Sequence, residues 1–216
     1  TPKLGVIWYR TPNGMGSSGD GKHAKYLEEH RRYGHLDPEL FDHLRRARHG
    51  VGRRSVAAIE QSGLLRGAQF VRDEVPKKAR RDAWFAAAKQ RVADADIVFV
   101  DPDNGLETKN PNEKHVLWRE LKGLLEIDRP RSVVIYQHAR RVRRFPEPQL
   151  AECAARLPSP PEKLAVYSRR GTQRAFLVLM HPQHTETLRP ALGAFAAKWS
   201  AGPEKHRIVE PRVVSA

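Results

Sequence analysis

"DIVFVDPDNGLETK" occupies residues 96–109. Its first half decides the fold. Ile97 to Val100 form an unbroken apolar run, shorter than an ordinary helix, and such a run reads as a strand buried on both faces. Asp101 ends the run, and Asp103 and Glu107 follow within six residues. Ligands of open parallel sheets bind outside the carboxyl ends of the strands. The stretch therefore predicts an architecture and the place of a site together.

The pattern repeats outward from it. "LGVIWY" (4–9) and "SVVIYQH" (132–138) are apolar runs of the same kind, and "AQFVRDEV" (68–75) reads as a short strand. Helical patterns separate them. "RDAWFAAAKQRVA" (81–93) places Phe85, Ala88 and Val92 on one face. "EKHVLWRELKGLLE" (113–126) and "EPQLAECAARL" (147–157) are also predicted helices. "KLAVYS" (163–168) and "RAFLVLMH" (174–181) are strands joined by "RRGTQ", a hairpin-sized connection. "TETLRPALGAFAAKW" (185–199) is a last helix, with Pro190 as an expected interruption. This alternation predicts an α/β chain: a Rossmann-like three-layer fold with a mostly parallel sheet and a C-terminal antiparallel hairpin.

The early stretch differs. "KHAKYLEEHRRYG" (22–34) is a polar helix closed by Gly34. Asp37 has the character of an N-cap, with Pro38 at the first helical position. Leu40, Phe41 and Leu44 form an apolar stripe, and "RRSVAAIEQSGLL" (53–65) is a third helix. The expected organisation is one α/β domain over residues 1–200 with a helical insert at about 22–65. Residues 201–216, with Pro203 and Pro211, are expected to form an irregular tail.

Charge narrows the partners. Lys plus Arg number 39 against 25 Asp plus Glu, a formal net charge of +14 in 216 residues. A pI near 10.3 points to a polyanion, with nucleic acid, DNA or RNA, first among candidates. An apolar fraction of 39% is enough for a core, which excludes disorder of the whole chain. No apolar run approaches the ~18–20 residues of a spanning helix, and "TPKLGVIWYR" lacks the apolar length of a signal peptide. The lone Cys153 excludes an intrachain disulfide and a cysteine-based zinc cluster, and the expected location is cytoplasmic.

Against that basic background the acidic stretch is a local exception. Asp101 and Asp103 alternate along an extended chain, a spacing that lets both reach one hard cation, Mg²⁺ or Mn²⁺, with Glu107 as a third ligand. Such an ion polarises a phosphate and activates water. The bland alternative has Asp103 and Asn104 only forming a turn. His138 ends the strand expected beside "DIVFVD", where it is a candidate base or ligand. Arg140, Arg141, Arg143 and Arg144 follow it, and Arg169, Arg170 and Arg174 flank the hairpin turn; all are candidate phosphate contacts. Lys22 lies in the Gly/Ser-rich stretch and is a further one, with Asp20 and His23 beside it. Trp8 and Tyr136 either stack on bases or belong to the core. His30, His35, His43 and His49 fit no zinc signature and read as part of a basic face.

Three resemblances meet on these residues. "DPDNG" resembles the Asp-x-Asp metal-binding element of Toprim domains, which also use a Glu after an earlier strand; Glu60 is the spaced candidate. "DPDN" is also similar to the Asp-Pro-Pro-Tyr element of amino methyltransferases. The strand, helix, strand, helix, hairpin order after Asp101 resembles the second half of a methyltransferase domain. That resemblance implies S-adenosylmethionine as cofactor, although "LGVIWYRTPNGMG" departs from the usual cofactor loop. "GSSGDGKH" (16–23) resembles a P-loop, with His23 where Ser or Thr stands. The leading expectation is a nucleic-acid-acting enzyme that cleaves phosphodiester bonds with a divalent metal. The alternatives are a methyltransferase-like enzyme and a non-catalytic nucleic-acid-binding module on a degenerate enzyme fold.

Overall fold

The computed structural model describes residues 1–11, 25–49, 56–139, 144–158, 161–170, 172–200 and 205–209. The chain divides into two compact units: Thr1–Thr11 with Gln69–Ala216, and Pro12–Ala68.

The larger unit is built on seven strands: β1 (Leu4–Ile7), β2 (Gln69–Val71), β3 (Ile97–Val100), β6 (Ser132–His138), β7 (Glu162–Arg170), β8 (Thr172–Met180) and β9 (Lys205–Val209). Their order across the sheet is β2-β1-β3-β6-β8-β7-β9. The first four run parallel. Strand β8 is antiparallel to β6 and to β7, and β9 is antiparallel to β7. The protein is thus α/β with a mixed sheet. The hairpin enters it in reverse order, its second strand beside β6.

Helices α4 (Lys78–Arg91), α5 (Trp118–Leu125) and α6 (Glu147–Arg156) cover one face. Ala88, Leu121, Leu124, Leu150 and Cys153 pack there on Val98, Val100, Val133, Ile135 and Leu177 in one buried cluster. Burial first, and then Glu152, pushes the Cys153 thiol up to about 12, so it behaves as a small apolar residue. Gly5 is needed for close approach: a Cβ there would stand 2.8 Å from a Val92 methyl. On the other face α7 (Thr185–Ser200) lays Leu188 and Leu192 on Leu164, Val178 and Met180. The smaller unit is helical in its described residues, with α1 (His30–Tyr33), α2 (Pro38–His49) and α3 (Val56–Glu60). Asp37 caps α2 as expected, its carboxylate accepting from the Leu40 N–H at 3.1 Å.

Four expectations change. Residues 201–216 are not wholly irregular, because β9 lies within them. Its backbone pairs with β7, a ladder that needs no strong side-chain pattern. Helix α7 runs through Pro190, which lies in its second turn on the exposed side, so the lost hydrogen bond is the main cost. The helix predicted over 113–126 begins only at Trp118, since His115–Val116 form β5, a short strand paired with β4 (Gly105–Leu106). Glu60 ends α3, so it is not the strand-end Glu that the Toprim resemblance implies.

Candidate functional site

The site is assembled where β1, β3 and β6 end. The Asp101 N–H donates to the Ile7 carbonyl at 3.0 Å, which carries the parallel ladder one residue past β3. Val98 and Val100 point into the α4–α6 core. By the alternation of an extended chain, Phe99 and Asp101 emerge on the opposite face.

The loop after Asp101 is held by one buried side chain. Gln137 is fully buried, and its Oε1 accepts from the Leu106 N–H at 2.8 Å. Its Nε2 donates to the carbonyls of Asn104 and His138 at 3.4 and 2.8 Å. Gly105 passes directly over it with φ 85°, and a Cβ there would lie 2.3 Å from Gln137 Oε1. Gly105→Ala is therefore expected to combine a strained backbone with a collision. We expect it to cost at least about 2 kcal/mol, read as a lower denaturant midpoint; an unchanged midpoint would remove Gln137 as the latch.

The carboxylates separate into different environments. Asp103 is half-exposed and pairs with Lys114 Nζ at 3.2 Å. Asp101 is partly buried, and among the described residues its carboxylate makes no hydrogen bond or ion pair. Burial, and then the charge of Asp103, pushes Asp101 up to about 6. Glu107 does not join them. Its Oε2 accepts from the Trp118 N–H at 2.8 Å, where the free N–H groups of the α5 N-terminus attract a carboxylate. The expected three-carboxylate shell is not formed, and among the described residues no three His, Cys, Asp or Glu side chains gather to hold an ion.

His138 lies within electrostatic reach of Asp103. Its Nε2 lies 3.3 Å from the Tyr136 hydroxyl, with the rings edge to face at 5.0 Å. Burial and then Arg174 lower its pKa, against the pull of Asp103, so the imidazole is neutral at pH 7. Tyr136 is raised, by burial first, with Asp101 and Asp103 adding to it and Arg174 opposing. Asp101, Asp103, Tyr136, His138 and Arg174 thus share one electrostatic neighbourhood. Arg174 stands opposite His138 in the β6–β8 ladder.

The other expected phosphate contacts divide. Arg169 is exposed near the end of β7. Arg144 is engaged by Glu147 at 2.7 Å, at the start of α6. Arg170 lies on β7 by its backbone. Lys22, Arg140, Arg141 and Arg143, with Asp20 and His23 of the P-loop-like stretch, lie outside the described residues.

Behind the site is a buried ion pair that the sequence reading missed. Arg81 of α4 donates to Glu120 of α5 through Nε at 2.7 Å and Nη2 at 3.0 Å. Arg81 also reaches the carbonyls of Asn112 and His115. Glu120 Oε2 accepts from the Tyr9 hydroxyl at 3.1 Å and the Leu117 N–H at 2.9 Å. Partners 39 positions apart leave no local signal. A capping-type Glu three residues after Leu117 was the only hint.

Among the described residues no helix is long and apolar enough to cross a membrane. Compared with known proteins, the chain matches no family model, and no curated protein or solved structure is significantly similar to it.

Proposed function

We propose that the protein acts on nucleic acid and cleaves phosphodiester bonds with a divalent cation held at Asp101 and Asp103. One observation carries the reading. A partly buried carboxylate, to which the described residues offer no partner, is burdened by Asp103 at the mouth of the parallel strands, on the sheet face that also carries Tyr136, His138 and Arg174.

The donor set fits a hard cation. Mg²⁺ takes one or two carboxylates and fills its remaining positions with water and phosphate oxygens, so two carboxylates suffice without Glu107. Bound there, Mg²⁺ or Mn²⁺ supplies a Lewis acid for a phosphoryl oxygen. The protein's own groups do the rest. His138, unprotonated at pH 7, would take the proton of a water as the water oxygen bonds to phosphorus; the bond from phosphorus to the leaving ester oxygen breaks, and that oxygen takes a proton from solvent. The Tyr136 hydroxyl fixes the imidazole. Arg174 balances charge on the phosphate. Arg140, Arg141 and Arg143 follow the same strand end in sequence.

The test is cleavage of mixed DNA and RNA substrates with Mg²⁺ or Mn²⁺, together with thermal denaturation with and without the ion. We expect the cation to raise the melting temperature of the wild type and not of Asp101→Asn. Wild-type cleavage that survives Asp101→Ala would sink the assignment.

The topology favours a second reading. The strand, helix, strand, helix, hairpin order on which the methyltransferase resemblance rests is present after Asp101, and Asp73 and Glu74 supply acids after β2. In that reading Asp101 accepts a hydrogen bond from the amino group of a target base. Calorimetry with S-adenosylmethionine in the absence of metal separates the two.

A further inference from the structure

The sheet face turned away from α4, α5 and α6 carries a band of aromatic rings. Register places Phe70, Val6, Phe99 and Val134 in one row across β2, β1, β3 and β6. One step nearer the carboxyl ends of the parallel strands lie Trp8, Asp101 and Tyr136, with Phe176 beside Tyr136 on β8. The rings fall into two groups. Trp8 and Phe70 lie parallel, 6.2 Å apart and tilted by only 4°. Tyr136 and Phe99 flank Phe176 at 5.8 and 6.3 Å. All five are half-buried and stand outside the buried core clusters. Asp101 sits between the groups, because β3 lies between β1 and β6.

Cations border both groups. The Arg72 guanidinium stands 6.0 Å from the Phe70 ring. Arg174 is opposite His138 on the other side, two residues before Phe176 on the same face of β8.

We infer that this face binds a single-stranded nucleic acid, with bases stacked on the two ring groups and the intervening phosphodiester presented to Asp101. The inference rests on the proposed cleavage reading and supplies its substrate class. Two strand spacings separate β1 from β6, about 10 Å, which leaves room for a backbone link between stacked bases. Rings on a sheet face are useful to bases whose π-faces are free, and a duplex hides those faces in its own stack. The bordering arginines supply the charge that a strand backbone requires, consistent with a net charge of +14. DNA and RNA single strands share this chemistry.

The experiment uses full-length Asp101→Asn protein, so that substrate survives. Fluorescence anisotropy would compare labelled 12-nucleotide dT and rU strands with a duplex of equal length at one fixed salt concentration. At least one single strand should bind tenfold or more tightly than the duplex. Adding Trp8→Leu or Phe176→Leu should weaken that binding about tenfold or more and leave duplex binding within about twofold; two substitutions in separate groups guard against one that fails to fold. Equal or tighter duplex binding would overturn the inference. So would an unchanged single-strand affinity in both ring variants with intact circular dichroism. Preferred single-strand binding with no cleavage by the wild type would instead retain the binding surface and reject the nuclease reading.

Discussion

Asp101→Asn is expected to abolish cation-dependent cleavage and, at the same time, to make the folded protein more stable. The loss of activity should be about 100-fold or more, beyond the roughly 10–100-fold cost of losing a group that only supports a metal ligand. The gain in stability follows from the environment of the acid. Burial and Asp103 hold Asp101 near 6 in the folded chain, against 3.8 ordinarily. Between these values the folded state holds a proton that the unfolded chain releases. Stability contributed by the protonated acid is therefore present at low pH and is lost as pH rises from about 3.8 through about 6. Above that window the ionised carboxylate is a net burden of roughly 1–3 kcal/mol, since each tenfold step in acidity is worth 1.36 kcal/mol and the group keeps some solvent. Asparagine keeps the shape and discards the charge. Urea denaturation at pH 7 should show the variant more stable by that amount, with the difference vanishing below about pH 4. A variant less stable than wild type at pH 7 would contradict the strained-acid picture.

Glu120→Ala should have the opposite sign and a larger size. Arg81 and Glu120 are 5% and 1% exposed. Removing the carboxylate strands a guanidinium in the interior and orphans the Tyr9 hydroxyl and the Leu117 N–H. Such a break costs about 3–5 kcal/mol, much of a typical domain's stability. Replacing the pair together, as Arg81→Met with Glu120→Leu, should recover most of the loss, because no charge is left unpaired. The measurement is the denaturant midpoint of the single and double variants. A single-variant loss below about 1 kcal/mol would show that Arg81 finds other acceptors. The pair also ties the end of β1 to the segment before α5, so its loss should loosen the ground on which the Asp101 loop rests.

How much of this is legible in the sequence depends on where each signal resides. Strands β1, β3 and β6 and the β7–β8 hairpin are visible because their burial is written as unbroken apolar runs. Strand β9 and the two-residue β4 and β5 are not, since they exist through backbone pairing that leaves no periodicity. The place of Asp101 follows from its strand, and His138 from the next one. Glu107 misleads: two residues past a glycine turn it resembles a third ligand, yet its partner is a helix N-terminus 11 positions on. The aromatic band is hidden differently. Phe99 in "DIVFVD" and Phe176 in "RAFLVLM" read as core, because an apolar run does not tell which face each residue takes. Only the register across five strands shows that Phe99, Tyr136 and Phe176 share a face with Trp8.

Strand β9 has a bearing on how the protein is handled. Strand β7 is nine residues long and pairs with β8 on one side and β9 on the other. Ile208 and Val209 of β9 also lie against the two buried clusters. A chain ending before Lys205 would leave the outer rim of β7 with a row of open N–H and C=O groups, the kind of template that recruits another chain. The segment that looks dispensable by composition replaces that nine-residue rim with an edge strand of only five residues. A tag or a truncation at this end bears directly on whether the protein stays a separate molecule, whereas at the opposite edge only the three residues of β2 are open to a neighbour.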